Sequence, residues 1–174
     1  MQLRGFPLRF ALRFFVSFAL LVGGFEAARG TRFERFVIED LVIRPAAAVI
    51  HGLTPGDRVW VQGRMLASAQ ASLLVTRGCE GVEIVALLLA AIVAYPASAK
   101  QRLLGALVGF MLAYVLSVGR LAALYYAFQY QPGSWEAVHG VIAPLVPVIL
   151  VALFYSRWTV WVAETRASGA TGAA

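Results

Sequence analysis

Four apolar stretches, separated by more polar segments, dominate the hydrophobic pattern of the chain. They run from about Leu8 to Ala28, Val82 to Ala97, Leu104 to Phe128 and Val138 to Trp161. A membrane helix needs about 20 predominantly apolar residues, so the second stretch is short and needs the preceding residues to complete it. The pattern predicts an all-α membrane protein with about four transmembrane helices.

A more polar region, residues 29–81, lies between the first two spans. Within residues 33–53, apolar side chains recur at helical spacing, which predicts an amphipathic helix lying on the membrane surface. The apolar positions that carry this prediction are Phe33, Phe36, Val37 and Leu41. The segments Val59–Leu66 and Ser72–Thr76 follow a turn signal and alternate as strands do, so they predict a short β-hairpin at the outer face.

The composition supports a membrane protein. The chain has 174 residues, of which 60% are hydrophobic and 14% charged, whereas a soluble domain is about half apolar and about a quarter charged. We expect one integral membrane domain over residues 1–166, with a disordered tail of small residues at 167–174. The net charge of +6 favours topology signals and contact with anionic lipid over nucleic-acid binding.

The basic residues also predict the topology. The short loop 98–102 contains Lys100 and Arg102, whereas residues 129–136 contain no Lys or Arg. The first loop should therefore be cytoplasmic and the second should face outward, with both chain ends inside. Three arginines after the first span do not fit this topology, because it places them on the outer side of the membrane: Arg29, Arg32 and Arg35. Moving them inside would require residues 37–53 to cross, which their charged residues make costly.

Three chemically distinctive residues fall near the outer ends of predicted spans. Cys79, the only cysteine, is either a small buried side chain or a nucleophile before a helix N-terminus. Arg120 either extends to the headgroups or serves as a functional cation at membrane depth. His139 is either an interfacial polar residue or a general acid and base, with His51 as the reserve candidate. One cysteine and two histidines lack zinc-site spacing, and we predict no metal and no cofactor.

The stretches around these residues resemble a known enzyme family. Gly78-Cys79-Glu80-Gly81-Val82-Glu83, then Arg120-Leu121, then His139-Gly140 are similar to the motifs of the exosortase/archaeosortase family of membrane transpeptidases, and the short chain resembles its small exosortase H form. The resemblance implies that Cys79 forms a thioester with the substrate, that His139 transfers the proton and that Arg120 stabilises the oxyanion. One position departs from the family pattern, since Ser117 stands where an asparagine is usual.

The resemblance also implies the partners and the location. The substrates would be membrane proteins with a C-terminal sorting signal, made of a short motif, an apolar helix and a basic tail. Cleavage would occur at the periplasmic or exterior face of the inner membrane, and an unidentified acceptor would resolve the thioester. The residues alone leave three alternatives open: a non-enzymatic assembly or transport subunit, hydrolysis without transfer, and a lipid-modifying enzyme that uses Arg120 to bind a phosphate.

Overall fold

The computed structural model describes residues 6–69, 71–76 and 80–171, and these are mostly helical. In chain order the elements are α1 (Phe6–Ala27), α2 (Arg32–Arg35), a π-helix (Phe36–Ile43), α3 (Arg44–Leu53), β1 (Trp60–Gln62), β2 (Met65–Ala67), β3 (Ser72–Leu74), α4 (Val82–Ala94), α5 (Ala99–Tyr130), a 3₁₀ turn (Pro132–Ser134), α6 (Trp135–Ala137), a second π-helix (Val138–Ile142) and α7 (Ala143–Thr171).

Three helical stretches in the described part of the chain are long and apolar enough to cross a membrane. They are Leu8–Ala27, Ala99–Tyr130 and Pro132–Ser168, and they correspond to three of the four predicted spans. The remaining helix, α4, is apolar but has only 13 residues. At 1.5 Å per residue it is about 20 Å long, less than the roughly 30 Å of a hydrocarbon core. The structure is therefore compatible with a multi-pass membrane protein, and the fourth span is not confirmed.

Two helix ends differ from the sequence prediction. Helix α5 begins at Ala99 rather than near Leu104, because Ser98 and Gln101 form a capping box. The Gln101 backbone N–H donates to the Ser98 hydroxyl at 3.3 Å, and the Ser98 backbone N–H donates to the Gln101 side chain at 3.0 Å. Helix α7 continues to Thr171, so residues 167–171, expected to belong to a disordered tail, are helical.

Small residues allow α4, α5 and α7 to pack closely. Gly105, Gly109, Ala113 and Ser117 recur every four residues along α5, a spacing that brings membrane helices together. A Cβ atom built on Gly105 would lie 2.6 Å from Trp158 Cε2, and one on Gly109 would lie 2.8 Å from Leu88 Cδ2. The core of this bundle is formed by Leu88, Ile92, Ala113, Val151, Trp158 and Val162, and α1 packs along α4 at its edge.

A second core surrounds the last three turns of α5, at the end of the bundle that carries the β-sheet, which we call the sheet end. The continuous helical segment 32–53 packs there against α5. Its buried stripe repeats every four residues: Glu34, Ile38, Val42, Ala46 and Ile50. The wider turn of the π-helix keeps positions four apart aligned over this length.

Residues 32–53 are helical, as the pattern predicts, but the apolar positions that indicated this helix do not form its buried face. Phe33, Phe36 and Leu41 are 57%, 51% and 37% exposed. These residues have helical spacing, but the side of the helix that packs on the protein includes Glu34. A charged residue at this position would be expected in solvent from the sequence pattern. Two sides of this segment therefore carry apolar side chains, one packed on the protein and one exposed.

The predicted β-hairpin is a three-stranded antiparallel sheet in the order β1-β2-β3. The predicted first strand, Val59–Leu66, is divided by a tight turn at Gly63-Arg64, where Gly63 has φ +56°, a conformation that glycine adopts readily. Leu66 pairs with both Val61 and Leu73 in the register of the sheet. Its buried side chain joins Leu73 and Val75 in the core at the sheet end.

Candidate functional site

Cys79, the predicted nucleophile, lies outside the described residues, as do Arg77 and Gly78. The residues on either side of this segment are described: Thr76 follows β3, and Glu80 and Gly81 precede α4. Their contacts show where the chain leaves the sheet and where it reaches the bundle.

Gly81 is packed directly against Ser117 of α5. A Cβ atom built on Gly81 would lie 2.9 Å from Ser117 Cβ and closer still to its hydroxyl oxygen. Gly81 also has φ +79° at the N-cap of α4. The Ser117 side chain is buried, and its hydroxyl donates to the Ala113 carbonyl at 2.8 Å. The start of α4 can therefore contact α5 because both Gly81 and the side chain of Ser117 are small.

Arg120 lies one helical turn beyond Ser117 on α5. Its side chain is half-buried and lines an apolar groove of about 360 Å³ between α5 and the start of α7. Ile142, Ala143 and Pro147 form the facing side of this groove. The structure therefore places Arg120 beside the helical segment that carries His139.

His139 lies in the π-helix Val138–Ile142, and its ring stacks on Trp135 with centroids 5.0 Å apart and planes 19° apart. Trp135 in turn meets Phe128 edge to face at 5.1 Å. His139 lines a cavity of about 290 Å³ whose walls include Leu124 on α5 and Thr76 after β3. Thr76, the last described residue before Cys79, therefore lies at the cavity of His139.

These contacts bring two of the three predicted residues to one short stretch of α5. Ser117, Arg120 and Leu124 lie within eight consecutive residues, or about 10 Å of helix. Gly81 contacts one end of this stretch and the cavity of His139 contacts the other. The reserve candidate, His51, is exposed on α3 and does not line that cavity.

Four charged residues, which we call the acid–arginine cluster, adjoin the same segment: Arg29, Glu34, Arg64 and Glu80. The two carboxylates are buried and the two arginines are partly exposed. Glu80 Oε1 accepts hydrogen bonds from Arg29 Nη1 at 3.4 Å and from Arg64 Nη2. Both arginines also contact Glu34. Arg29 Nη1 and Arg64 Nη1 each lie 3.2 Å from Glu34 Oε1. No local pattern in the sequence indicates this cluster, since Arg64 is 30 residues from Glu34 and Glu80 is 51 residues from Arg29.

The cluster is charged and internally compensated. The Gly30 backbone N–H donates to Glu34 Oε2 at 2.6 Å, and this bond, with help from Arg29 and Arg64, holds the pKa of Glu34 below its usual value. A hydrogen bond to Glu26 raises the pKa of Arg29 above its usual value. Within the cluster two guanidinium groups face two carboxylates, and Arg29 Nη2 also lies 2.7 Å from Glu26 Oε1, which adds a third carboxylate. Arg29, one of the three arginines that oppose the predicted topology, is therefore paired with acids.

Desolvation offsets much of the attraction within a buried ion group, so its main effect is to fix geometry. The Glu80 side chain is fully buried, and Oε2 accepts no hydrogen bond from any residue in the described part of the chain. Among those residues no group of three His, Cys, Asp or Glu side chains is arranged to hold a metal ion.

No family model, curated protein or solved structure matches this chain. The interpretation of the site therefore depends on its own residues and their geometry.

Proposed function

We propose that the protein is a membrane-embedded cysteine transpeptidase of the exosortase kind, with Cys79 as nucleophile, His139 as general acid and base, and Arg120 as the oxyanion-stabilising cation. One observation supports this most. The chain on one side of Cys79 lines the cavity of His139, and the chain on the other side is packed against Ser117, one turn from Arg120.

Chain geometry limits how far the nucleophile can lie from this site. Two Cα–Cα steps of about 3.8 Å connect Cys79 to Gly81. The N-terminus of α4 follows at Val82, and a helix N-terminus favours a thiolate over a thiol. Helix α4 has no side-chain hydrogen bond at its N-cap in the described part of the chain, so its first N–H groups are suited to receive negative charge.

In the proposed reaction the Cys79 thiolate attacks a backbone carbonyl carbon of the substrate. The carbonyl oxygen becomes an oxyanion, which Arg120 stabilises strongly because the surroundings are apolar. The C–N bond then breaks, and His139, having taken the thiol proton, gives it to the leaving amine. An acceptor amine, or water, then attacks the resulting thioester and gives its proton to His139; the C–S bond breaks and Cys79 is released as thiolate.

The proposed substrates are membrane proteins that carry a C-terminal sorting signal. We place the sheet end at the periplasmic or exterior face of the inner membrane, with α4 completing four spans. Charge supports this orientation: Lys100 and Arg102 begin α5 at the opposite end, and the Arg166 guanidinium donates to the Pro96 carbonyl there. The turn at residues 131–134, near the sheet end, contains no Lys or Arg.

The first experiment uses the single thiol as its own reporter. Because Cys79 is the only cysteine, iodoacetamide labelling of isolated membranes measures Cys79 alone. We expect His139→Gln to slow labelling at pH 7 at least tenfold, since the base that promotes thiolate formation is lost. The matched control is His51→Gln, on the exposed side of α3. Equal rates for His139→Gln and His51→Gln would contradict the acid–base role.

The second experiment tests the reaction itself. A tagged protein with an apolar C-terminal helix and a basic tail is co-expressed with the wild type or with Cys79→Ser, and its C-terminus is weighed. Loss of the tail only with the wild type supports a thiol mechanism, and an added mass indicates transfer rather than hydrolysis. Removal of the tail by both forms would exclude Cys79 as the nucleophile.

A further inference from the structure

The end of the bundle opposite the sheet end is basic. There α5 and α7 carry four cations and one acid: Lys100, Arg102, Arg157, Arg166 and Glu164. Two of these cations are bound to backbone carbonyls. Arg102 donates from Nε and Nη2 to the Tyr95 carbonyl at 3.3 Å, and the Arg166 guanidinium donates to the Pro96 carbonyl.

The other two cations are available to a ligand. Lys100 and Arg157 are exposed, and neither makes a hydrogen bond or an ion pair with any residue in the described part of the chain. Glu164 lies seven residues after Arg157, or about 10 Å further along α7, too far for an ion pair. The positive charge of both side chains is therefore uncompensated within this end of the bundle.

Arg157 lines a groove of about 300 Å³ between α5 and α7, which we call the Arg157 groove. Its other lining residues are apolar: Leu104, Gly105, Val108, Phe154, Trp158 and Trp161. Trp158 packs on Gly105, and its indole N–H donates to the Gln101 carbonyl at 3.3 Å. This contact sets Arg157 level with the first turns of α5, one of which carries Lys100.

The walls of the groove are open to the surroundings of the bundle. Leu104, Val108 and Trp161 are 49%, 48% and 40% exposed, and they belong to helical stretches that are long and apolar enough to cross a membrane. In a bilayer such walls face lipid chains, and tryptophan lies at the headgroup level. The groove thus combines an apolar wall with cations at one end.

We propose that the Arg157 groove binds an anionic phospholipid, with the phosphate at Arg157 and Lys100 and an acyl chain along Leu104 and Val108. Basic pockets between membrane helices bind anionic lipid headgroups. Charge selects this occupant, because a zwitterionic lipid has no net charge to gain from two cations and a basic peptide is repelled by them. The site lies opposite the sheet end, so it does not depend on the proposed reaction.

Brominated lipids test the proposal, because bromine on an acyl chain quenches tryptophan fluorescence on contact. The chain has four tryptophans, and Trp60→Phe with Trp135→Phe leaves the two of the groove as reporters. This double variant is reconstituted in phosphatidylcholine vesicles with a rising fraction of brominated phosphatidylglycerol or of brominated phosphatidylcholine. Half-maximal quenching should need at least fivefold less of the anionic lipid, at about fivefold for each cation. Equal fractions for the two lipids would overturn the proposal.

Charge variants locate the site within this end of the bundle. Arg157→Gln should raise the half-maximal fraction of brominated phosphatidylglycerol about fivefold. Arg157→Lys should stay within about twofold, since an ammonium binds phosphate as a point charge. The matched control is Arg166→Gln, which removes a cation that already donates to the Pro96 carbonyl and should change the fraction little. Equal shifts for Arg157→Gln and Arg166→Gln would indicate general surface charge and contradict a site.

Inorganic phosphate distinguishes a lipid from a free anion. At constant ionic strength, added phosphate should leave quenching by brominated phosphatidylglycerol unchanged, because the apolar wall holds the acyl chain. Loss of quenching would assign the groove to the free anion and overturn the lipid proposal. Thermal unfolding in detergent verifies that each variant is folded. The comparison of the two brominated lipids needs no change at Arg157, so it tests the proposal even where Arg157→Gln does not fold.

Discussion

Gly81 and Ser117 lie in direct contact, with no room for a Cβ atom between them. The contact joins the N-cap of α4 to the middle of α5, 36 residues later in the chain, and it adjoins the turn of α5 that carries Arg120. Gly81 is also in the left-handed region, with φ +79°. Both the space and the backbone conformation at this point require glycine.

Replacing Gly81 should therefore destabilise the protein and disturb the candidate site together. Gly81→Ala adds a methyl group into Ser117 and about 1 kcal/mol of backbone strain, so we expect a loss of about 2–4 kcal/mol. Melting temperature in detergent and the Cys79 labelling rate measure the two effects. Adding Ser117→Gly should recover the steric part only, because the backbone strain remains.

Gly119→Ala is the control for this prediction, since it lies on the same helix and a Cβ there meets nothing within 4 Å. Alanine is the better helix former, so this variant should be as stable as the wild type or slightly more so. If Gly81→Ala and Gly119→Ala melt at the same temperature, the close contact between α4 and α5 is wrong.

Asp57, in the loop after α3, is hydrogen-bonded to the end of α5. Its Oδ2 accepts hydrogen bonds from Tyr130 at 2.9 Å, Gln129 at 3.2 Å and Tyr125 at 3.5 Å. Asp57→Ala leaves three donors without this acceptor and should cost about 1–3 kcal/mol, or several degrees in melting temperature. Asp40→Ala removes an exposed carboxylate whose ion pair in the described part of the chain is with Arg44, and it should change stability little. Equal losses would show that Asp57 has no special role.

Glu34 should make stability depend on pH in the acid range. Its pKa in the folded protein is lowered from 4.5, chiefly by the Gly30 N–H. A lowered pKa contributes stability that is fully present above the unfolded value and is lost as pH falls through the folded value. Glu34→Gln should thus lower the melting temperature at pH 7, and its difference from the wild type should shrink below about pH 4.5.

Glu136→Gln removes the same charge from an exposed position near the sheet end and serves as the matched control for the pH series. A melting-temperature difference between Glu34→Gln and the wild type that stays constant from pH 7 to pH 3 would contradict the role given to the Gly30 hydrogen bond.

Three of the four predicted spans correspond to helices long enough to cross a membrane, because a long apolar run can be recognised without knowing which residues it contacts. The start of α5 was missed by five residues, although its signal, Ser98 followed three residues later by Gln101, is present in the sequence. Hydropathy alone placed the start after Lys100 and Arg102, and the cap extends the helix through them. The sequence did indicate that the second apolar stretch is short, but it did not show which helices pack against α4.

Pairing between distant residues is what the sequence does not show. Arg29 and Glu80 are 51 residues apart, and nothing local indicates that they meet. Arg120 and His139 were predicted to share one level because each lies near the same end of a span. Arg120 belongs to α5, and the cavity of His139 is lined by Leu124, one turn further along that helix. Their chemical roles, and that of Cys79, stay predictions.

The short α4 leads to the last prediction, on topology. If α4 crosses the membrane, Cys79 and Lys100 lie on opposite sides, which Tyr95–Ala97 and local thinning of the bilayer allow despite a helix of about 20 Å. Wild-type Cys79 should react with a membrane-impermeant maleimide from the outside, whereas Lys100→Cys in a Cys79→Ser background should react only after permeabilisation. Gln131→Cys in the same background is the outside control. Labelling of both sites from one side would make α4 re-entrant and leave three spans.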